Sequence, residues 1–501
     1  MSDLKTVLRD IGGLLIIVGL ISLAAILAPI YFSELYGIFA ILITSAVFIG
    51  VGIPLYLIFR KSERSNFKSA MVTAALGWMF VSLIGSIPFM IMGFNKNDPL
   101  VTMDFLSAFF ESMSGWTGTG LTMIDKENLL PYTLQFWRSI IQWIGGVGVI
   151  VLTLSILARP GTGSYVLYKS EGREQKTHPS IVSTVRTIWW IFALYTIIGV
   201  IALTVIGSIT SNGMTLWESL NHAMTAIATG GFSVTDNSAV GFGTISQLAI
   251  VFLMIFGGIA FAAHYDLLKG RIKRFLSDAQ FQAMILLLIL GVIVLTLINL
   301  NDPMLIYKDN FLLSLKESGF QFVSALTCTG FASANIPSWT ESAKLILSFA
   351  MIVGGAAGST AGGIKLYRAI LLSKGASWRI KRSISTPRRV FVHKLGEKSL
   401  SKEDAMDLIN EAAIISFMWV ILLLVGILSI AYFFPSETLG NVIFEVCSAQ
   451  GNVGLPIGIT SMEMEPIAKI ILIFSMWIGR LEIIPIIVLV KSMFGIRRNV
   501  L

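Results

Sequence analysis

The chain alternates between long apolar runs and short polar segments rich in lysine and arginine. Ten of the runs are long enough to cross a bilayer as helices, which takes about 20 residues at a rise of 1.5 Å per residue. These predicted spans are residues 11–32, 36–59, 70–94, 134–158, 184–209, 244–268, 281–300, 341–373, 408–433 and 465–492. The pattern is typical of an all-α polytopic membrane protein.

Four shorter apolar runs lie between the spans and share one pattern. Each run leads to a glycine that is followed by leucine or phenylalanine. Each also carries a hydroxyl side chain six residues before that glycine. The four repeat glycines are Gly120, Gly231, Gly330 and Gly454, and the hydroxyl residues are Ser114, Thr225, Ser324 and Ser448. The alignment needs no gaps, so the chain contains a fourfold internal repeat.

Each short run predicts a half-helix of about a dozen residues, roughly 20 Å long, against a hydrocarbon core of ~30 Å. The glycine, threonine and serine that follow do not sustain a helix. Each repeat therefore predicts a re-entrant hairpin, which membranes tolerate only where the backbone is buried in protein or lines a water-filled cavity. Four copies around one axis would direct four helix C-termini, with their partial negative charges, at one point. This arrangement predicts a path for a cation, lined by backbone carbonyls.

The spans and hairpins group into four units, each consisting of a span, a pore hairpin and a second span. Every unit begins and ends on the side that carries most of the 37 Lys and Arg residues. This agrees with the positive-inside rule, although charge played no part in finding the repeat. The predicted boundaries are 1–68 for a two-helix N-terminal appendage, 69–183 for unit 1, 184–280 for unit 2, 281–404 for unit 3 and 405–501 for unit 4. The predicted fold is pseudo-fourfold, with ten spans, four re-entrant half-helices and both termini in the cytoplasm.

Composition agrees with a membrane-embedded chain and excludes other classes. Hydrophobic residues make up 55% of the 501 residues and charged residues only 13%, which is not the composition of a soluble domain. Cys328 and Cys447 have no paired spacing, which excludes a disulfide framework and a thiolate metal site. The net charge of +8 is explained by basic cytoplasmic linkers and indicates no nucleic-acid partner.

Seven stretches together resemble the potassium-translocating subunit of the Trk/Ktr/HKT superfamily, and the two extra N-terminal spans resemble its bacterial TrkH-type branch. The stretches are MSGWTGTGLT (113–122), QWIGGVGVIVL (142–152), HAMTAIATGGFS (222–233), FQFVSALTCTGF (320–331), GGAAGSTAGGIKLYR (354–368), FEVCSAQGNVGL (444–455) and IGRLEIIPIIVLV (478–490). The resemblance implies a potassium channel-like pore in one chain of the bacterial inner membrane, and a homodimer. It also implies a cytosolic TrkA-like RCK subunit that binds nucleotide, either NAD(H) or ATP/ADP. No cofactor is implied on this chain, only K⁺ as the transported ion.

The resemblance places the selectivity filter, position by position, at the four residues that end with each repeat glycine. Backbone carbonyls would coordinate the ion there. The residues are Thr117, Gly118, Thr119 and Gly120; Ala228, Thr229, Gly230 and Gly231; Thr327, Cys328, Thr329 and Gly330; and Gly451, Asn452, Val453 and Gly454. In the plant branch of the superfamily, serine at the first repeat glycine accompanies sodium transport, so glycine in all four units implies potassium. Ala228 and Gly451 lack the hydroxyl of Thr117 and Thr327, an asymmetry expected to loosen selectivity.

Four polar residues lie nine positions before the repeat glycines, two turns back on the predicted half-helices. They are Glu111, His222, Gln321 and Glu445. They point away from the ion if the glycines face it, so we expect them to support the filter by hydrogen bonds from behind. Direct binding of the ion is the alternative. Nothing in the sequence supplies His222 with a matching ligand set, so a catalytic or metal role is not indicated.

The segment 354–363, GGAAGSTAGG, interrupts the second span of unit 3. Five of its ten residues are glycine, and each costs about 1 kcal/mol in a helix relative to alanine. We therefore expect an unwound loop inside the membrane, below the filter, although a helix-packing stripe of Gly354, Gly358 and Gly362 is the alternative. The resemblance makes this loop the gate. Its expected gate residues are Gly354, Gly355, Gly358, Ser359, Thr360, Gly362 and Gly363.

Arg480 lies near the middle of the last predicted span. A charge there costs ~2.5–3.5 kcal/mol on insertion scales and needs a partner or a water-filled cavity. Glu482 lies on another face of the helix, so the carbonyls of the loop at 354–363 are better partners. A fixed positive charge opposes cation conduction, so Arg480 and the loop together would form a closed gate. A purely structural anchor is the alternative.

The sequence leaves two transport mechanisms open. One is potassium conduction that the cytosolic partner gates, and the other is potassium symport with sodium or protons on the same fold. The scarcity of acidic residues in the spans argues against symport, because proton relays use intramembrane Asp, Glu and His. A membrane enzyme acting on lipid-linked substrates would need acid/base or metal clusters, and none is visible, so we predict that the protein is not an enzyme. The basic linker 374–404 is a hypothetical docking surface for the partner.

Overall fold

The computed structural model describes residues 2–93, 102–148, 181–302, 309–385, 392–395 and 398–493. Its helices are α1 (Ser2–Ser22), α2 (Leu27–Tyr31), α3 (Leu35–Phe59), α4 (Phe67–Gly85), α5 (Ile87–Ile91), α6 (Phe105–Thr117), α7 (Tyr132–Val147), α8 (Ile181–Ile209), α9 (Leu216–Ile227), α10 (Thr244–Gly258), α11 (Phe261–Leu268), α12 (Ile272–Leu276), α13 (Ala279–Leu300), α14 (Phe311–Leu326), α15 (Glu341–Val353), α16 (Leu366–Ser383), α17 (Lys402–Phe433), α18 (Leu439–Gln450), α19 (Pro466–Arg480) and α20 (Ile484–Met493). Single 3₁₀ turns occur at Leu23–Ile26, Glu127–Leu129 and Ile336–Ser338. In the described ranges, the β-structure is one antiparallel hairpin of β1 (His393–Leu395) and β2 (Lys398–Leu400).

Six stretches of helix within the described residues are long and apolar enough to cross a membrane. They are Asp3–Tyr31, Leu35–Phe59, Phe67–Ile91, Val182–Ile209, Ala279–Leu300 and Lys402–Phe433. Two bent helix pairs, α10 with α11 and α19 with α20, bring the number to eight if each pair is one span. The predicted all-α polytopic fold is confirmed, with the β-hairpin as a small addition in the basic linker at the end of unit 3.

The N-terminal appendage packs its two helices closely together and against unit 1. A Cβ added at Gly12 would come closer than 3.0 Å to the carbonyl oxygen of Gly52, so α1 and α3 touch backbone to backbone. At the other end of α3, the Glu34 carboxylate accepts the N–H groups of Tyr132 and Thr133, each at 2.8 Å, and so occupies the N-terminus of α7.

The four pore helices are the half-helices that the repeat predicts: α6, α9, α14 and α18. They contain only 12 to 16 residues. Each begins at a side-chain cap that accepts an N–H of the first turn, which satisfies donors that would otherwise be buried without partners. The caps are Asp104, Thr215, Asn310 and Thr438.

In each unit, the helix that follows the pore hairpin is here called the inner helix. It ends partway through the second predicted span of that unit. The inner helices are α7, α10, α15 and α19, and they end within the aligned sequences WIGG (143–146), IFGG (255–258), IVGG (352–355) and WIGR (477–480) or one residue later. The chain bends by 106° between α10 and α11 and by 114° between α19 and α20. The spans predicted over 244–268 and 465–492 are therefore helical but sharply bent, a feature that the sequence analysis did not predict.

The break follows from how the inner helices pack on the pore helices. A Cβ at Gly145, Gly257 or Gly479 would come closer than 3.0 Å to the carbonyl oxygen of a residue at the end of the pore helix in the same unit. Glycine allows this approach, and it also weakens the helix at the same point.

Some predicted segments lie outside the described residues. They include the end of the predicted span 134–158 beyond residue 148, most of the predicted linker 159–183, and the basic tail with Arg497 and Arg498. In the predicted linker 374–404, α16 continues as helix to Ser383, and the β-hairpin follows. Arg388 and Arg389 of this linker are also outside the described residues.

Candidate ion pathway

The four segments that follow the pore helices share one backbone conformation. In each unit, the residue before the repeat glycine donates its N–H to the carbonyl of the hydroxyl residue at 2.8–2.9 Å. The four bonds join Thr119 to Ser114, Gly230 to Thr225, Thr329 to Ser324 and Val453 to Ser448. The second residue of each predicted filter segment has φ between 50° and 68°, and the repeat glycine has φ between 73° and 92°. The sequence repeat is therefore also a repeat of backbone geometry.

The second residue of each segment has a left-handed backbone conformation, and the four residues differ in how well they tolerate it. Gly118 accepts it without cost, whereas Thr229, Cys328 and Asn452 adopt it at φ of 50°, 54° and 51°. Such residues cost of order 1–3 kcal/mol each and persist only where the surrounding structure holds them. Packing around the pore helices therefore fixes these three segments.

The repeat glycines close a ring. A Cβ at Gly120 would come closer than 3.0 Å to the carbonyl oxygen of Gly230 in unit 2. The same overlap joins Gly231 to Thr329, Gly330 to Val453 and Gly454 to Thr119. The contacts run from unit 1 through units 2, 3 and 4 and back to unit 1, so each unit contributes one carbonyl to the ring. Any side chain at these glycines would displace a backbone carbonyl.

Four polar residues lie nine positions before the repeat glycines, and all four are fully buried. Their side chains form hydrogen bonds with the segment that follows each repeat glycine. Glu111 accepts from Met123 N at 2.9 Å, and Glu445 accepts from Ile457 N at 2.9 Å. His222 Nε2 pairs with Ser233 Oγ at 3.0 Å. Gln321, with its amide oriented so that the oxygen faces the donors, accepts from Ser333 N at 2.6 Å. These contacts position the returning segment.

Arg138, on the inner helix of unit 1, is a buried cation beside the ring that the sequence analysis overlooked. Its guanidinium pairs with Glu111 at 2.8 Å and donates to the Ser233 carbonyl at 2.8 Å. It also lies 4.1 Å from the centre of the Phe232 ring. Arg138 thus joins unit 1 to the segment after the ring in unit 2. A charged residue inside a predicted span was the available signal, because such residues need partners.

Glu127 lies in the loop that follows the ring in unit 1, outside the membrane-spanning helices. Its carboxylate is 3.9 Å from Arg138 Nη2, and only 10% of the side chain is exposed. Burial raises the pKa of Glu127 to about 7, while the nearby Arg138 opposes that rise. This carboxyl therefore changes charge near neutral pH.

The loop at 354–363 is not helical and contacts the ends of two pore helices. Gly363 donates its N–H to the carbonyl of Gly451 at 3.0 Å. Thr360 Oγ1 is 3.0 Å from Thr229 Oγ1 and 3.2 Å from the Ile227 carbonyl. The loop of unit 3 therefore lies against the inner ends of the filter segments of units 2 and 4.

Arg480 lies at the end of α19, where the inner helix of unit 4 breaks. Its guanidinium donates to the Thr360 carbonyl at 3.0 Å, to the Gly146 carbonyl at 2.9 Å, and to the Gly145 carbonyl. The arginine therefore joins the loop of unit 3 to the inner helix of unit 1.

A second ion pair lies where the loop ends. Arg368, on α16, pairs with Glu482 in the break between α19 and α20. Glu482 has φ of 56°, and Lys365, which immediately precedes α16, has φ of 81°; both conformations are unusual for residues with side chains. The described residues contain no group of three or more His, Cys, Asp or Glu side chains that could hold a metal ion.

Known proteins resemble this chain in sequence, and one solved structure resembles it in fold. A family model described as "TrkH: Cation transport protein" matches residues 37–495. The Trk system potassium uptake protein TrkH of Salmonella typhimurium is 32% identical over 87% of this chain and 88% of its own length. An uncharacterized cation transporter of Methanocaldococcus jannaschii is 32% identical over 98% of this chain and 96% of its own length. The crystal structure of the potassium transporter TrkH from Vibrio parahaemolyticus aligns with a TM-score of 0.81 at 26% identity, covering 98% of this chain and 99% of that one.

Proposed function

The chain belongs to the TrkH family of cation transport proteins, and on that premise we propose that it carries potassium ions into the cell through the ring of four filter segments. It is a multi-pass membrane transport protein and not an enzyme. The observation that supports this function best is the closed ring, in which each repeat glycine lies against a carbonyl of the next unit. A dehydrated potassium ion requires oxygen ligands on all sides, and carbonyls from four units supply them.

The electrostatics of the ring suit a monovalent cation. Four pore helices end at the filter segments, so the partial negative charges of their C-termini converge there. The buried cation Arg138 is paired with Glu111 and a backbone carbonyl. In this proposal the carbonyls of the sixteen predicted filter residues bind K⁺, and Glu111, His222, Gln321 and Glu445 hold the returning segments in place.

Below the ring, we propose that Arg480 and the loop at 354–363 form the gate. Arg480 places a positive charge next to the loop and binds three carbonyls from units 1 and 3. In this position it opposes the entry of a cation, since the charge is fixed and near the path. The gate residues are those the sequence predicts: Gly354, Gly355, Gly358, Ser359, Thr360, Gly362, Gly363 and Arg480.

Regulation and assembly are also part of the proposal. Several relatives are named as components of a Trk system, and the family resemblance adds a homodimer and a cytosolic TrkA-like RCK subunit that binds NAD(H) or ATP/ADP. The basic segment 374–404 is the proposed docking surface for that subunit. We propose that the chain lies in the bacterial inner membrane with both termini in the cytoplasm, an orientation that agrees with its basic linkers. We propose that the chain itself binds no cofactor.

Gated conduction is favoured over symport with sodium or protons. A proton relay requires acidic or histidine side chains that can exchange protons along the path. Glu111 is paired with Arg138, and Glu482 is paired with Arg368. These two membrane-level carboxylates therefore already serve as partners of arginines.

The test is a flux assay on the purified protein in liposomes, with imposed potassium or sodium gradients. Wild type is expected to carry potassium well above sodium, and Gly120→Ser to narrow that difference because the added atoms meet the Gly230 carbonyl. Gly50→Ser is the matched control, since a Cβ at Gly50 has no atom within 4 Å. Potassium movement that requires a sodium or proton gradient would establish symport. A wild type and an Arg480→Ala variant that both fail to move potassium would overturn the proposal.

A further inference from the structure

The filter segment of unit 2 lacks two local hydrogen bonds that units 1 and 3 make. Ser114 Oγ accepts the N–H of Gly120 at 3.0 Å, and Ser324 Oγ accepts the N–H of Gly330 at 3.1 Å. In unit 2 the corresponding hydroxyl, Thr225 Oγ1, instead donates to the Phe232 carbonyl at 2.9 Å.

The second missing bond is a pair of threonine hydroxyls. Thr117 and Thr119 pair their hydroxyls at 2.8 Å, as do Thr327 and Thr329. Unit 2 has Ala228 and Gly230 at these positions and cannot form the pair. Within its own hairpin, the segment keeps the backbone bond from Gly230 to Thr225 and the bond from Thr225 to Phe232, but it lacks the two bonds that units 1 and 3 make.

Gln142, on the inner helix of unit 1, makes two other hydrogen bonds to this segment from outside the hairpin. Its Nε2 donates to the Gly230 carbonyl at 2.6 Å, and its Oε1 accepts the N–H of Phe232 at 3.0 Å. The side chain is fully buried. One amide group thus binds the residues on both sides of Gly231.

Arg138 extends this contact by one helical turn. It lies four residues before Gln142 on α7 and donates to the Ser233 carbonyl at 2.8 Å. Residues four apart on a helix share a face. The inner helix of unit 1 therefore holds the segment 230–233 of unit 2 at three backbone groups.

The other inner helices have no donor at the Gln142 position. Gln142 immediately precedes the sequence WIGG of α7. The residues that precede the aligned sequences in the other inner helices are Met254, Met351 and Met476. Within the described residues, the Gly230 carbonyl is the one ring carbonyl that accepts a side-chain hydrogen bond. Unit 4 is anchored differently, since Asn452 Nδ2 donates to Thr119 Oγ1 at 2.9 Å.

We infer that Gln142 is a positioning residue of the filter and determines how strictly the ring separates potassium from sodium. This inference rests on the proposed function. A carbonyl oxygen has two lone pairs, so Gly230 can accept from Gln142 and still face the ion. The amide limits how far that carbonyl can move. Without it, the oxygen can approach a smaller ion, and the field strength of the ring changes on one side.

The first test replaces the amide with the residue that the other three units use. In liposomes, Gln142→Met is expected to lower the potassium-to-sodium permeability ratio roughly three- to tenfold, the value of about one hydrogen bond. Potassium flux should persist, because the ring itself is intact. Met254→Leu and Met476→Leu, at the same position of units 2 and 4, are the matched controls and should change the ratio less than twofold.

Gln142→Glu separates positioning from general packing. An ionised carboxylate still accepts from Phe232 N but cannot donate to the Gly230 carbonyl, whereas a protonated one can. The permeability ratio of Gln142→Glu should therefore recover toward wild type as the pH falls. The charged groups on this side are Arg138 one turn earlier on α7, its partner Glu111 on α6, and Arg480 of α19, which binds Gly145 and Gly146. The controls are wild type and Gln142→Met, which carry the same three groups and should not show this recovery.

The outcomes distinguish the inference from the function on which it rests. If wild type selects potassium and Gln142→Met keeps the same ratio, the inference is wrong and the proposed function remains. If neither wild type nor Arg480→Ala carries potassium, the function itself fails. If Gln142→Met does not fold, as judged by size-exclusion chromatography, the ratio of Gln142→Glu at two pH values decides, and an unchanged ratio overturns the inference.

Discussion

The ring of repeat glycines and the layer beneath it are built from the same four units in opposite ways. In the ring, every unit contributes the same backbone hydrogen bond, the same positive φ and the same contact with its neighbour. In the layer beneath, the contributions differ. Unit 3 supplies the loop, unit 4 supplies Arg480, and unit 1 supplies the carbonyls of Gly145 and Gly146.

This difference follows from what the proposed function requires of each layer, ion coordination in the ring and gating beneath it. Coordination of a dehydrated ion requires equivalent oxygens on all sides, so all four units must agree. A gate requires an obstruction that one element can remove. All four inner helices break at aligned positions. At that position, unit 4 has Arg480 in place of the second glycine, and in unit 3 a loop follows the helix.

Because the four repeat glycines make equivalent contacts, substitutions at them should have the largest effects on selectivity. Serine at Gly231, Gly330 or Gly454 should lower the potassium-to-sodium ratio as much as Gly120→Ser, by at least about tenfold, or about 1.4 kcal/mol. Each added Cβ would come closer than 3.0 Å to a carbonyl of the next unit. The ratio is measured by flux in liposomes with Gly50→Ser as the control. A position that tolerates serine would show that the ring is not equivalent there.

The layer beneath should affect rate and leave selectivity unchanged. Arg480→Ala removes a positive charge and frees the Thr360, Gly145 and Gly146 carbonyls, so we expect potassium flux to rise several-fold at an unchanged potassium-to-sodium ratio. Arg480→Lys keeps the charge with fewer directed hydrogen bonds, and its flux should lie between those of wild type and Arg480→Ala. A loss of selectivity in Arg480→Ala would show that ring and gate are not separate layers.

The same contrast explains what could be predicted from the sequence. The pore helices follow from local spacing, because the repeat fixes where each helix must end, and each one ends three or four residues before its repeat glycine. The bends after Gly258 and Arg480 were missed because they arise from contacts between helices distant in sequence. Gln142 was missed for a related reason. A single glutamine in an apolar span shows no periodicity, and its role depends on Gly230 in another unit.

A third region, the loop that follows the ring in unit 1, is also asymmetric. Glu127 belongs to unit 1 alone, and burial raises its pKa to about 7, from the ordinary glutamate value of 4.5. The folded protein therefore holds this proton at a higher pH than the unfolded chain does. The resulting stabilisation is complete below about pH 4.5 and is lost as the pH rises through about 7, which amounts to up to about 3 kcal/mol.

Glu127→Gln should remove the pH dependence of stability that Glu127 causes. Its effect on transport should be the smallest of those predicted here. Wild type should lose more thermal stability than Glu127→Gln between pH 5.5 and pH 8, each compared with itself in the same detergent.

Ionisation of Glu127 also adds a negative charge near the end of the path that lies away from the gate. Wild-type potassium uptake from dilute solution should therefore be roughly two- to threefold faster at pH 8 than at pH 6. Asp125→Asn, on the same loop but exposed, is the control and should keep the wild-type profile. If Glu127→Gln keeps that profile as well, the Glu127 carboxyl does not take part in transport, and the differences between units that affect transport are those at Gln142 and in the layer below the ring.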